Sequence, residues 1–342
     1  MQTTGHASKR RHVSPDDSSS DPVVSTSTLK TILRGLEDID DQLQKMQKRV
    51  VVLRDLLAEA TRHRMVSSLT VTEHDLTRAG FEYNILHFNS QKIANLAKSF
   101  IGVKSVDDLY TSLQKIFRRV NLNRDEGNRM VIHTILLALP DICQTEGRCV
   151  GILPGVQVSY QDDNHLQLVQ PNSKFRLWIP DQLDYVAIEY DDQYDNTERI
   201  IPYNSPDVIR AAIGESRGRF LLVEGKRPTQ SYTDPSEDYI LYDNNPEAIC
   251  QAIALLKFSG LKESEVRFCL TDGQKWLFFI LQKMEDGQLV YYQSLNRDLS
   301  IYSLRESDSQ LRELLVILRE WLKPTESEAE RFFAVGWHGS CW

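Results

Sequence analysis

The sequence lacks the long apolar segments that membrane and secreted proteins need. None of its 342 residues belongs to an apolar run near the ~18 residues required to span a bilayer. The first twenty residues contain a basic cluster, but no apolar stretch follows it, as a secretory signal would require. These two absences favour an intracellular protein without a membrane segment.

Metal-binding and nucleophile motifs are also absent. The five cysteines are odd in number, scattered and never spaced as CxxC, so neither a disulfide framework nor a structural zinc site is expected. We expect Cys250 and Cys269 to be core residues instead. The eight histidines show no HxH or HExxH spacing, and GxSxG elbows and phosphate-binding glycine loops are missing. We expect His133, which has apolar neighbours, to be a buried and satisfied histidine.

An excess of positive charge is missing too. The chain has 40 basic and 48 acidic residues and a formal charge of −8. Any contact with nucleic acid must therefore depend on a local basic face or on bound metal.

The amino-terminal part of the chain divides into a tail and a heptad repeat. Residues 1–28 are rich in Ser, Thr, Asp and Pro, which predicts a disordered tail. Within this tail, the cluster Lys9-Arg10-Arg11-His12 is either a nuclear import signal or a set of solvated charges, so the nucleus and the cytoplasm are both expected locations.

The repeat continues over residues 29–57 and predicts a coiled-coil helix over residues 29–62. Its apolar positions alternate spacings of three and four: Leu29, Ile32, Leu36, Ile39, Leu43, Met46, Val50, Leu53 and Leu57. Such a helix forms a homodimer, recruits a partner or folds back on its own chain.

Beyond the repeat, the sequence predicts a helical linker region at 63–119 and a mixed α/β domain at 120–323. Short helices are expected near 72–79, 91–100 and 106–118, and a longer helix before the stop at Pro140. Strands are expected at 156–160, 166–169, 175–179 and 185–190, and a compact strand at 220–223. An insertion at 191–219 contains a short helix near 206–213. A helix at 246–258, an antiparallel meander over 266–293, a helix at 311–322 and a carboxyl-terminal tail at 324–342 complete the prediction.

Three polar residues at predicted strand ends form the candidate site. Glu224 and Lys226 are two residues apart, so they project to the same face of their strand. Asp184 begins an earlier strand, and the two carboxylates converge if the strands are neighbours. Two carboxylates and a backbone carbonyl are ligands that Mg²⁺, or Mn²⁺ in its place, accepts. The glycine between Glu224 and Lys226 allows another backbone or a substrate to come close.

This D…ExK pattern resembles the PD-(D/E)XK, or restriction-endonuclease-like, nuclease superfamily over residues 120–323. It is also similar to nuclease-like domains of fungal proteins, including the carboxyl-terminal domains of Crinkler-type effectors. The resemblance implies an α/β (α+β) fold with a mixed central sheet flanked by helices. It implies a Mg²⁺-dependent nuclease acting on DNA or RNA, with Asp184, Glu224 and Glu126 as metal ligands. It further implies that Lys226 positions the attacking water and that Gln251 belongs to the site.

Other interpretations of these residues remain open. Glu224 and Lys226 could be an exposed strand-end pair, and Asp181 or Glu189 could replace Asp184 as a ligand. Glu126 and Gln251 could be ordinary helix residues. Arg217, Arg219 and Arg227 could contact phosphates or be solvated charges. The alternative function is a catalytically silent nuclease-like fold whose coiled-coil helix binds a partner or a second copy.

Overall fold

The structure is a computed structural model that describes most of the chain from residue 25 onward. The described residues are 25–62, 65–67, 70–143, 147–158, 167–169, 176–180, 182–191, 205–225, 241–258, 265–325, 327 and 331–336. Several sequence predictions lie outside them, namely those for the basic cluster at 9–12, Asp181, Lys226 and Arg227. Within the described part of the chain, each helix is too short or too polar to cross a membrane.

In the first of two compact units, Met1–Thr61, the described residues from 26 onward form one long helix. Helix α1, Thr26–Arg62, has 37 residues and begins within the stretch predicted to be a disordered tail. Every side chain from Ser25 to Arg54 is exposed. The long amino-terminal helix predicted by the heptad repeat is therefore present, and its apolar seam faces solvent over these residues.

The second unit, Arg62–Trp342, contains the sheet and its flanking helices. Its first half comprises β1 (Met65–Ser67), α2 (Glu73–Arg78), β2 (Glu82–Phe88), α3 (Ser90–Ala97), a 3₁₀ turn (Lys98–Phe100), α4 (Lys104–Arg119), α5 (Asp125–Cys143), β3 (Arg148–Gln157), β4 (Gln167–Val169), β5 (Arg176–Trp178) and β6 (Gln182–Asp191). Its second half comprises α6 (Pro206–Glu215), β7 (Gly218–Glu224), α7 (Asn245–Phe258), β8 (Glu265–Thr271), β9 (Lys275–Lys283), β10 (Leu289–Ser294), β11 (Arg297–Asp298), α8 (Ile301–Glu306), α9 (Ser309–Leu322) and β12 (Phe333–Gly336).

The described strands form a mixed sheet of nine strands in the order β12-β2-β10-β9-β8-β7-β6-β3, with β11 paired to β9. Strands β3, β6 and β7 are antiparallel neighbours, whereas β7 and β8 are parallel. Helix α7 supplies the crossover that two parallel neighbours need. Strands β8, β9 and β10 form the predicted antiparallel meander. The short strands β1, β5 and β4 form a separate sheet. The mixed α/β class is confirmed.

Both faces of the large sheet are buried under helices, which gives three layers. In β7, Leu221 and Val223 belong to the core cluster that includes α7, whereas Phe220 and Leu222 belong to the cluster that includes α5 and α9. A strand covered on both faces is apolar at successive positions, which explains the compact FLLV run. Helices α5 and α7 therefore reach the end of β7 from opposite faces.

Several elements differ from the sequence prediction, among them β3, which spans Arg148–Gln157 where a strand was expected at 156–160. Strand β2 lies within the predicted helical linker, and its parallel partner β10 is more than two hundred residues away, so no hairpin signal marks it. Helix α5 continues through Pro140 to Cys143, because Leu139 and Cys143 are buried and hold the last turn in place. Strand β12 lies within the predicted carboxyl-terminal tail and pairs with β2.

Candidate active site

Asp184, Glu224 and Gln251 meet where β6 begins and β7 ends. These strands are antiparallel neighbours, so the start of one lies beside the end of the other. The Asp184 Oδ2 accepts hydrogen bonds from the Glu224 backbone N–H and from the Gln251 Nε2, each at 3.0 Å. The Asp184 N–H donates to the Gln251 Oε1 at 3.1 Å. Gln251 is buried, so it is not a helix-surface residue.

Glu224 is paired with Arg129, a residue that the sequence analysis did not select. The Arg129 Nε lies 2.7 Å from one carboxylate oxygen of Glu224 and 2.8 Å from the other. The Glu224 side chain is only 9% exposed, whereas that of Arg129 is 50% exposed. Glu224 shares a strand face with Leu222, and this face packs against α5, from which Arg129 reaches across. The spacing of residues along the chain gave no signal for this pair.

The pKa of Glu224 is raised: burial is the largest cause, the Arg129 guanidinium lowers the pKa, and the nearby Asp184 and Asp125 raise it. The hydrogen bond and charge of Glu224 in turn raise the pKa of Arg129. A carboxylate in such a place is stabilised by any additional cation that comes close. The site is therefore short of positive charge even with Arg129 in position.

Tyr185 and His133 extend the site along α5. The His133 Nε2 lies 2.7 Å from the Tyr185 hydroxyl oxygen, and the two rings meet edge to face. Burial raises the pKa of the Tyr185 hydroxyl, and the negative charge of Glu224 adds to that rise. His133 is exposed, so the expectation that it is buried was wrong, although its ring nitrogen does have a partner. On a helix, residues 129 and 133 lie on one face.

Close backbone packing holds α5 in this position. A Cβ at Gly273, whose φ is +86°, would lie 2.9 Å from the Asn128 carbonyl oxygen. This glycine lies in the turn between β8 and β9, and strand β8 is the parallel neighbour of β7. A larger residue would push α5, and with it Arg129, away from the sheet.

Gly225 follows Glu224 and packs against the chain itself. Its N–H donates to the Thr271 carbonyl at 2.7 Å. A Cβ at Gly225 would lie 2.7 Å from a methyl carbon of Leu241. Of the two roles that the sequence allowed for this glycine, close approach to another backbone is therefore the one observed.

Glu126 lies apart from the contacts described above. It is exposed in the first turn of α5, and Arg129 is the residue of that helix that contacts Glu224. Among the residues that the structure describes, no group of three or more His, Cys, Asp or Glu side chains is arranged to hold a metal ion. The three carboxylates predicted as ligands, Asp184, Glu224 and Glu126, therefore do not form one such group.

The residues Glu189, Arg217 and Arg219 lie at the other end of β6 and β7. Glu189 is buried beside a cavity of about 630 Å³, and its carboxylate pairs with Arg148 at 3.2 Å and Lys323 at 3.6 Å. Arg217 pairs with Asp191, and Arg219 donates to carbonyl and hydroxyl oxygens of its own segment. Glu189 therefore cannot replace Asp184 as a ligand beside Glu224. For the same reason, Arg217 and Arg219 cannot contact a phosphate bound beside Glu224.

The two carboxylates leave the strand ends toward different helices: Asp184 contacts Gln251 of α7, whereas Glu224 contacts Arg129 of α5. All hydrogen bonds to the Asp184 carboxylate use Oδ2, and no donor among the described residues bonds to its other oxygen. Both oxygens of the Glu224 carboxylate contact Arg129, whose side chain is half exposed. Mg²⁺ is commonly held by one or two carboxylates, with water and substrate phosphate completing its shell.

Comparisons with known proteins assign no family to the chain. No protein-family model matches the sequence, and no curated protein matches it.

Proposed function

We propose that the protein is a metal-dependent nuclease that hydrolyses phosphodiester bonds in DNA, with RNA as a further substrate. The observation that carries this proposal is the contact of Asp184 with both the backbone of Glu224 and the side chain of Gln251. This contact supports the proposal because it brings the side chain of Asp184 to the end of the strand that carries Glu224.

The order of elements gives additional support. Helix α5 is followed by three antiparallel strands, β3, β6 and β7, then by helix α7 and the parallel strand β8. The D…ExK resemblance implies the same order, namely helix, strands, ExK strand, helix and strand. This order also accounts for the forty positions between Asp184 and Glu224, because the insertion containing α6 lies between the two strands.

Each residue has a separate role in this proposal. Asp184 and Glu224 are the residues that would hold Mg²⁺ or Mn²⁺, and the ion would supply charge stabilisation at the scissile phosphate and a lowered pKa for an attacking water. Gln251 holds the Asp184 carboxylate in place through two hydrogen bonds. Lys226, assigned from the sequence alone, positions the attacking water or a phosphate oxygen. Arg129 is the residue that would contact a phosphate bound at this strand end.

Plasmid nicking in the presence of Mg²⁺ tests the proposal. We expect Glu224→Gln and Lys226→Ala each to abolish cleavage by the purified protein without unfolding it. The matched controls are Glu285→Gln and Lys283→Ala, which lie at exposed positions near the turn between β9 and β10. Equal nicking by the wild type and both site variants would exclude this function.

A catalytically silent fold is the second candidate function, and the pairing of Arg129 with Glu224 favours it. Because both oxygens of Glu224 contact this guanidinium, the site is already partly neutralised. Thermal melting with and without Mg²⁺ separates the two candidates, since a ligand that binds only the folded state must stabilise it. A shift that disappears in Asp184→Asn supports the nuclease. The absence of any shift supports the silent fold.

A further inference from the structure

The apolar seam of α1 is an unpartnered surface that covers most of a long helix. Its side chains at the repeat positions from Leu29 to Leu53 are between 49% and 63% exposed. Scattered exposed apolar residues are ordinary, but a continuous stripe of this length marks an interaction surface. A helix whose apolar positions alternate spacings of three and four pairs with another helix of the same kind.

Charge along α1 is segregated by sign. The stretch from Glu37 to Asp41 contains four acidic residues and no basic one. The stretch from Lys45 to Arg54 contains four basic residues and no acidic one. Two such helices side by side in the same direction place acid against acid and base against base. In opposite directions, each acidic stretch lies beside the basic stretch of the other helix.

The residues that flank the seam also favour the antiparallel direction. With Leu36, Leu43 and Val50 at position a, Arg49 occupies position g and Arg54 position e. Positions g and e of the two helices face each other in a parallel pair, so Arg49 would face Arg54 of the second copy twice. In an antiparallel pair, position e faces position e, which places Asp40 and Arg54 of the second copy on the same flank. Antiparallel pairing thus removes the two Arg49–Arg54 contacts and places an acidic residue on the flank that carries Arg54.

We propose that α1 pairs with α1 of a second copy of this chain in an antiparallel coiled coil. The pairing register follows from the seam and the length of the helix together. If Leu36 lies opposite Leu53 of the second copy, Leu43 lies opposite Met46 and Ile39 opposite Val50. This register also overlaps nearly the whole of Thr26–Arg62 with its partner. A shift by one heptad would leave about one heptad, or two helical turns, uncovered at the end of each helix.

The proposal has a consequence for the arrangement of the two copies. A helix of 37 residues is about 55 Å long, and each chain continues into its second unit after the carboxyl-terminal end of α1. In an antiparallel pair, these two ends lie about 55 Å apart. The two chains therefore leave the coiled coil at its opposite ends.

The oligomeric state of the full chain is the first test. Adjacent valines provide a matched pair of variants, because Val50 lies on the seam and Val51 lies beside it, and both are exposed. Light scattering after size exclusion should show a dimer for the wild type and for Val51→Asp, and a monomer for Val50→Asp. A monomeric wild type across micromolar concentrations would overturn the proposal, as would equal behaviour of the two variants.

Disulfide cross-linking tests the direction of the helices. In a background with Cys149→Ser and Cys341→Ser, the antiparallel register brings position 43 of one copy beside position 46 of the other. Leu43→Cys and Met46→Cys should each fail to cross-link alone and should cross-link when mixed, with an affinity tag on one variant to distinguish the products. Cross-linking of each variant with itself would show a parallel pair and overturn the proposal. Both readouts are independent of nuclease activity.

Discussion

Replacement of Asp184 by Asn and by Ala separates the hydrogen bonds of this residue from its charge. The carboxylate accepts two hydrogen bonds through Oδ2, one from the Glu224 N–H and one from the Gln251 amide. Asn retains an acceptor oxygen at that position and places its amide where the carboxylate has no bonded donor among the described residues. Ala removes the acceptor altogether.

The expected cost of the Ala substitution follows from these contacts. A buried donor that loses its acceptor costs about 1–3 kcal/mol, and Gln251 is only 3% exposed. Asp184 itself is half-buried, so water can replace part of what the Glu224 N–H loses. We therefore expect Asp184→Ala to lower the free energy of unfolding by about 2 kcal/mol and Asp184→Asn by less than about 1 kcal/mol.

Urea denaturation followed by tryptophan fluorescence measures these costs. Trp276 and Trp321 are completely buried in the second unit, so their emission reports on the unfolding of its core. Both substitutions remove the negative charge, so titration calorimetry should show that both abolish Mg²⁺ binding. The Asn variant is thus expected to keep most of its stability and lose Mg²⁺ binding, whereas the Ala variant is expected to lose both.

Two results would refute this reasoning. Equal stability of the Ala variant and the wild type would show that the hydrogen bonds to Asp184 do not hold the strand ends together. Wild-type Mg²⁺ affinity in the Asn variant would show that Asp184 is not a metal ligand. A double-mutant cycle with Gln251→Ala isolates their mutual contribution, which we expect to be about 1 kcal/mol.

Two further predictions concern the site and the core. Because burial raises the pKa of Glu224 and metal needs the deprotonated carboxylate, Mg²⁺ binding measured by calorimetry should weaken as pH falls from neutral through that pKa. In Arg129→Met, which loses the guanidinium that lowers this pKa, the fall should occur at higher pH; identical profiles would contradict the assignment. Gly218→Ala places a Cβ against the Leu322 carbonyl oxygen and should lower the free energy of unfolding by about 2 kcal/mol. The control is Gly35→Ala, because a Cβ at Gly35 would have no heavy atom within 4 Å. A similar loss of stability in this variant would show that the clash with Leu322 is not the cause.

Local patterns were sufficient to predict the elements that contain the site residues. The apolar run before Glu224 predicted strand β7, because a strand buried on both faces is apolar throughout. The helix at Asn245–Phe258 was predicted from its proline in the first turn and its apolar residues. The turn glycines Gly273 and Gly287 both have positive φ, as is typical of the glycine in an Asp-Gly turn.

Contacts between distant parts of the chain were beyond the reach of these patterns. Arg129 meets Glu224 across 95 positions, and no spacing rule links a helix residue to a strand end so far away. Strand β2 was missed because its partner β10 is parallel and distant. His133 was expected to be buried from its apolar neighbours, but the side of α5 that faces the sheet is set by packing.

The sequence by itself determined the periodicities of this protein and the positions of its chemically active side chains. Periods of two and of about three and a half arise from local backbone geometry, so a short window of residues contains them. Tertiary structure decided which of the side chains share a site. It placed Asp184 and Gln251 against the end of β7, left Glu126 in solvent and set Arg129 beside Glu224. These outcomes depend on how strands and helices pack over long separations, and a linear pattern contains no information about that packing.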